Sequence, residues 1–245
     1  MGPVGEVTVT DDIETAIGLD DAVGGEAATE AHRSDHSDRI IRVDPWADRV
    51  DVLDTRLPSP RAGIAAAAAG DKILLFGGIT AEGATDEVLR FDPQDGTLET
   101  LPASLPTASF GARRAAAVAP GASGCPAGCV FLLGGLTTIP AGIDGSDAIM
   151  RHDVLTGTTV LMPATAPSRA AYSALTTDRG ILLAAPSIEP TDHMYRFDPL
   201  SGRVEEIGRL PFREKEAGLV ERDGTILRIG GIAAPRNAIL RLEAT

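Results

Sequence analysis

An all-β chain assembled from four-stranded repeats is what this sequence predicts, and three observations predict it. A motif of the form Arg-x-Asp, usually followed by Pro, recurs along the chain. An apolar run, most often ending in paired glycines, precedes each later copy, and a stretch of small residues precedes that run. Repetition is read first because a missed period misassigns the whole fold.

The motif stands as RVDPWADRVDVL from Arg42, RFDPQDGTLETL from Arg90, RHDVLTGTTVLM from Arg151 and RFDPLSGRVEEI from Arg196, with a truncated RLEAT from Arg241. The intervals are 48, 61, 45 and 45 residues. Asp bonds its own turn backbone, Pro presets the first corner and Gly takes the left-handed position, so each copy is a β-hairpin. A second hairpin precedes the later copies, as in AGIAAAAAGDKILLFGG and EAGLVERDGTILRIGG. Its apolar strand ends at Gly77–Gly78, Gly134–Gly135 and Gly230–Gly231, with Ala184–Ala185 in the remaining unit.

The five alanines 65–69 are the best helix-forming material a chain offers. Pro60 and Gly70 leave room for only a very short helix, which is marginal alone. Small residues recur at 115–117 and at Ala170, Ala171 and Ala174, wherever a unit's first strand falls. Four strands in roughly fifty residues match a β-propeller blade, whose first strand lines a crowded central channel. The alanines are therefore expected to be extended and chosen for size.

The Gly-Gly after the second strand, the RFDP-type third strand and the Leu-Pro after the fourth (Leu57–Pro58, Leu101–Pro102, Leu210–Pro211) resemble the kelch repeat family over residues 39–243. Kelch blades commonly carry Tyr on strand three and Trp on strand four; here Phe, Val, His or Leu and Leu or Ile stand there. With aromatics at only 4% of the chain, blade packing is expected to be aliphatic. Counting the units gives an expected single propeller domain over 1–245, with five four-stranded blades at 13–58, 61–106, 113–167, 169–212 and 214–245 with 5–12, where kelch propellers more often have six or seven. GEVTVTDD, residues 5–12, is expected to supply the last blade's fourth strand beside 238–243, removing an exposed edge. IETAIGLDDAVGG is expected to supply both inner strands of the first blade.

An arginine recurs just before strand one: Arg61, Arg114 (or Arg113), Arg169 and Arg213. In a propeller these four would converge on one channel mouth, where guanidiniums can hold a carboxylate or phosphate. The competing reading is that each ties neighbouring blades together, since repeated residues in repeat proteins are usually structural. Arg42, Arg90, Arg151, Arg196 and Arg241 read as packing residues with solvated heads.

The net charge of −13 excludes a counterion-releasing nucleic-acid binder and disfavours an anionic membrane surface. Residues 1–38 hold ten acids against Arg33 alone, a loop-rich composition. No apolar stretch reaches a membrane span, and no secretory signal opens the sequence. The chain reads as soluble, either cytoplasmic or exported with its signal absent. Cys125 and Cys129 suit a small disulfide loop, two free thiols or, less readily, part of a metal shell. His32 and His36, in HRSDHSD, have metal-compatible spacing but fall in a predicted loop. The sequence holds no nucleophile elbow, phosphate loop or zincin motif, and too few tyrosines and histidines for the copper site of galactose oxidase, a similar architecture.

The function implied is a non-catalytic scaffold without a cofactor, binding another protein or a small anionic or carbohydrate ligand. Phe110, Trp46 and the 136–147 loop are candidate contacts. The alternative is a sugar-acid mutarotase or epimerase using the arginine mouth, with Glu214 or Glu216 moving protons.

Overall fold

Strand-period apolar runs separated by Asp and Gly turns produce sheets that follow one another along the chain. The structure is a computed structural model describing residues 7–8, 36–109, 115–119, 125, 127–140, 142–166, 173–185, 193–210, 218–222, 225–229 and 239–243. Every element among the described residues is a β-strand. The first sheet, in order β1-β2-β3, contains β1 (Val7–Thr8), β2 (Ser37–Asp44) and β3 (Arg49–Arg61). The second is an antiparallel meander of β4 (Ala65–Ala69), β5 (Lys72–Phe76), β8 (Val88–Phe91) and β9 (Leu98–Thr100). Its loop carries the small hairpin β6 (Ile79–Thr80) and β7 (Gly83–Ala84). The third meander is β10 (Ala115–Ala119), β11 (Cys129–Ile139), β12 (Gly142–Asp153) and β13 (Thr159–Thr165). The fourth is β14 (Ser173–Thr177), β15 (Gly180–Ala185), β16 (His193–Phe197) and β17 (Val204–Arg209); β18 (Gly218–Arg222), β19 (Thr225–Ile229) and β20 (Ile239–Glu243) form the last.

Three expectations need correction. The N-terminal strand does not join the last sheet: Val7 pairs with Arg42 and Thr8 with Ile41, beside β2. The edge of β2 closes a far shorter loop than β20 would, and loop closure grows more costly with length. Residues 136–147 are not a loop, because β11 and β12 continue as a two-stranded arm with Leu136 opposite Gly145 and Ile139 opposite Gly142. The β-branched run Thr137–Thr138–Ile139 favours extension once the irregularity at Leu133/Gly135 has re-aimed the strand. Strand β3 also runs unbroken through Leu57–Pro58 to Arg61, past the expected unit boundary at 58. The first unit's expected inner strands lie outside the described residues. Among the described residues no sheet closes on itself, and no helix is long and apolar enough to cross a membrane.

The second strands β5, β11 and β15 are apolar on both faces because each is sandwiched between neighbouring sheets. Leu75 packs with Ile40 and Leu57 of the first sheet, whereas Leu74 and Phe76 pack with Val130 and Leu132 of the third. Phe131 and Leu133, on the opposite face of β11, meet Ile181, Leu183 and Phe197 of the fourth. Leu182 and Ala184 turn the other way, toward Ile226 of the last sheet. Successive residues thus point to alternate neighbours, and the sheets stack in chain order. Leu101 and Leu210 of the Leu-Pro pairs plug the clusters at the ends of their sheets.

The alanines 65–69 are extended, as expected. Ala65 and Ala69 are buried and Ala67 packs beside them, but Ala66 and Ala68 are exposed, so the crowding falls on one face. First strands β4, β10, β14 and β18 neighbour one another in sequence. Cys125 and Cys129 form a disulfide, with Cα atoms 5.6 Å apart, buried in the cluster between the third and fourth sheets.

The Asp turns repeat closely. Asp92, Asp153 and Asp198 each accept the amide two residues on at 2.9 Å, and Gly96, Gly157 and Gly202 follow at φ 75°, 68° and 71°. In the first sheet Asp48 occupies that left-handed position at φ 46°. Replacing Asp48→Gly should raise stability by about 0.5–1 kcal/mol, since the steric cost outweighs glycine's added unfolded-state entropy. Urea midpoints check this, and an unchanged midpoint would mean that Asp48 relieves its own strain.

Candidate functional site

In an antiparallel meander the strand one–two and three–four turns share one end of the sheet; the remaining loops and the links between units share the other. Arg61 lies at the loop end, closing β3, and is only 1% exposed. Its Nη2 donates to Glu87 Oε2 at 2.6 Å and to Ser59 Oγ at 2.7 Å. Nη1 reaches the Gly77 carbonyl at 3.4 Å and Nε the Ser59 carbonyl at 3.3 Å. The guanidinium is thus committed to a carboxylate and carbonyls joining the first and second sheets. Arg114, Arg169 and Arg213 lie outside the described residues, as do Phe110, His32, Glu214 and Glu216.

The paired glycines build this junction. Gly77, at φ 63°, donates to the Glu87 carbonyl at 2.9 Å, and Gly78, at φ 107°, to Ser109 at 3.0 Å. A Cβ on Gly77 would stand 2.1 Å from the Ser109 carbonyl oxygen. The glycines therefore serve close backbone approach as well as turning.

The turn end holds a groove of about 740 Å³ between the second and third sheets. Lys72, Arg90, Asp71, Glu99 and Thr156 line it, with Pro102 and Leu101 supplying apolar surface. Lys72 Nζ bonds Asp92 at 2.5 Å and Asp71 at 3.0 Å, and Arg90 pairs with Glu99. The hydrogen bond to Asp92 raises the Lys72 ammonium above its ordinary range, and the same bond lowers the Asp92 carboxyl. With two acids and two bases in its lining, the groove offers many donors and acceptors without net charge.

His152 also lines this groove. It occupies the place of Phe91 and Phe197 in the repeat and is equally buried. Its ring meets Phe76 edge-on at 5.2 Å, and Nδ1 lies 2.9 Å from Thr159 Oγ1. Nε2 is buried without a hydrogen-bond partner. Burial lowers the imidazole from 6.5 to about 4, against the opposing influence of Asp153. His152 is neutral at pH 7 and can offer a hydrogen bond but no charge.

This depression has a stability consequence. Its contribution is fully present above pH 6.5, declines as the unfolded chain takes the proton, and is lost below the folded value near 4. The loss should reach roughly 3 kcal/mol. His152→Phe should stabilise the fold at low pH and remove this part of the pH dependence, as measured by urea unfolding at neutral and acid pH.

Other polar side chains bridge strands. Arg42 meets Asp51 at 2.8 Å, Arg90 meets Glu99, and Arg196 meets Glu205 at 3.2 Å, each pair in register across strands three and four. His193, 7% exposed, stacks on Tyr195, with Nδ1 3.2 Å from Glu206 Oε1. Trp46 sits on the β2–β3 turn, 75% exposed. Sequence reasoning missed the groove, His193 and the buried Arg228 of β19; the His at a Phe position was the legible signal for His152.

Sheets and groove together define an all-β class: three- and four-stranded antiparallel sheets packed in series, with a surface cleft between the turn ends of the second and third. No protein-family model and no curated protein matches the sequence. Among solved structures it is similar to one titled "Structure of YjhT", at TM-score 0.63 and 12% identity, over 80% of this chain and 67% of that one. At that identity the likeness is one of fold.

Proposed function

We propose that the chain is a kelch-like propeller of five blades that acts as a binding scaffold, with the groove beside His152 taking a hydroxyl-rich, uncharged ligand such as an oligosaccharide. The carrying observation is that His152, which lines the groove, stands where two other copies bury Phe91 and Phe197, and keeps a buried Nε2 without a hydrogen-bond partner. Such a departure from the repeat lowers stability, and stability given up at a site often accompanies function. Internally paired acids and bases suit the alternating donors and acceptors of a sugar. Serial stacking of the sheets and the row of first strands support the ring. The Cys125–Cys129 bridge suits an oxidising compartment. Of the residues the mutarotase alternative uses, Arg61 alone is described, and its buried guanidinium is held by Glu87.

Two measurements test this. Trp46 is the chain's one tryptophan, and the native cysteines are bridged, so a dye on Glu221→Cys reports whether the last sheet returns to the first. Energy transfer from Trp46 is expected; its absence would refute the ring. Separately, neutral oligosaccharides, uronic-acid oligosaccharides and peptides are titrated against wild type and His152→Phe. A neutral oligosaccharide should bind saturably and lose at least about tenfold in affinity in the variant, even as the variant gains stability. No neutral binder, or one indifferent to the substitution, would overturn the assignment.

A further inference from the structure

At the turn end of the fourth sheet a second groove, of about 370 Å³, is lined by Arg179, Arg196, Arg203, Asp198, Ser201 and Glu205. The repeat provides its own comparison. Asp71 and Thr97 of the second sheet stand where the fourth has Arg179 and Arg203, and Lys72 stands where it has Gly180. Asp95 stands where the fourth has Ser201, and the remaining members match: Arg90 with Arg196, Asp92 with Asp198, and Glu99 with Glu205. The same frame carries two more negative than positive charges in the second sheet and one more positive than negative in the fourth.

Both carboxylates of the fourth-sheet groove are already engaged. Asp198 Oδ1 accepts from the Leu200 amide at 2.9 Å and Oδ2 from Ser201 Oγ at 2.6 Å. The Ser201 bond, followed by the Leu200 amide, holds the Asp198 carboxyl below its ordinary range. Glu205 accepts from Arg196 at 3.2 Å. The guanidiniums of Arg179 and Arg203 have no carboxylate partner among the described residues. Backbone geometry draws the cluster together: a Cβ on Gly180 would lie 2.6 Å from the Phe197 carbonyl oxygen and 3.5 Å from Arg196 Cγ. That approach seats Arg179 beside Arg196, and Arg203 lies at the start of the adjoining strand. Neighbouring strands are about 4.8 Å apart, so three guanidiniums gather around one cleft.

We propose that this groove binds a tetrahedral oxyanion, a phosphate or sulfate group, carried on a larger molecule. Planar carboxylates match one arginine fork, whereas a tetrahedral group turns an oxygen toward each of several forks. The chain's net charge of −13 opposes anion approach at long range, so recognition falls to these short contacts and weakens with salt. The site is independent of the propeller reading and of the His152 groove, because it is contained within one sheet.

The test titrates inorganic phosphate, inorganic sulfate and acetate against wild type and the double variant Arg179→Asp, Arg203→Thr, which installs the second sheet's residues on exposed turn positions. Binding is followed by amide chemical shifts of residues 196–205. Saturable binding of phosphate or sulfate, at least about tenfold tighter than acetate and at least about tenfold weaker in the variant, is expected. Phosphate affinity should rise through its second ionisation near pH 6, while sulfate affinity stays flat, which separates the two sources. Equal affinity in the variant, no saturation in wild type, or acetate binding as tightly as phosphate would overturn the proposal. His152→Phe leaves this titration unchanged, so failure here is distinct from failure of the oligosaccharide site.

Discussion

Gly77→Ala is expected to destabilise the protein by about 3 kcal/mol or more, whereas Gly70→Ala should lose only about 1–2 kcal/mol. Both glycines hold the left-handed conformation, at φ 63° and 65°. Around Gly70 nothing lies within 4 Å of an added Cβ, so its substitution reports the backbone term alone. At Gly77 the new carbon would meet the Ser109 carbonyl oxygen at 2.1 Å, and the obstacle is backbone that cannot rotate away. Relief requires moving the segment whose oxygen accepts the Gly78 amide, and with it the link toward the third sheet. Equilibrium urea unfolding of both variants checks the difference. Equal losses would mean that conformation, not close approach, accounts for the paired glycines.

The second large effect concerns the ion pair of Arg61 and Glu87, whose two partners differ in solvation. The arginine side chain is 1% exposed and the glutamate 36%. Removing the glutamate leaves a buried guanidinium without its counter-charge, so Glu87→Ala should cost about 3 kcal/mol. Arg61→Met removes the buried charge, keeps much of the apolar stem and leaves Glu87 able to turn toward water. It should cost less, and the double variant should resemble Arg61→Met alone. Denaturation midpoints of the three proteins complete a double-mutant cycle. A larger loss in Arg61→Met than in Glu87→Ala would show that the carbonyl bonds to Ser59 and Gly77, not the ion pair, hold this junction.

These two sites show where sequence reasoning reaches and where it stops. The pairing of glycines was visible as a motif, and their close approach to the segment linking the second and third sheets was not, because Ser109 is thirty-two residues from Gly77. Arg61 was legible as a recurring position. Its partner was not, since Glu87 belongs to the following loop and no local spacing links the two. The N-terminal strand failed for a related reason. GEVTVTDD carries a strand's alternation, and alternation specifies which residues share a face but not which edge accepts them. Strand β2 offered the nearer edge.

His152 is the instructive intermediate. Its departure from the phenylalanines at 91 and 197 stood in the repeat, but sequence alone could not tell a solvated imidazole from a buried one. Burial against Phe76 and the hydroxyl of Thr159 made it neutral, and the neighbouring sheet made it part of a groove. The fourth-sheet arginines have the same history. Their charges were countable along the chain, while their convergence on one cleft required strand pairing.

By itself the sequence determined most of the strands, the repeating unit, the Asp-centred turns and the extended state of the alanines. Each is set by interactions within a few residues or by a period that repeats along the chain. Tertiary structure alone decided which charges neutralise one another, which edge the N-terminal strand takes and which surfaces form grooves. Those outcomes depend on the burial and separation of groups far apart in sequence, and both quantities come into being only when the sheets pack.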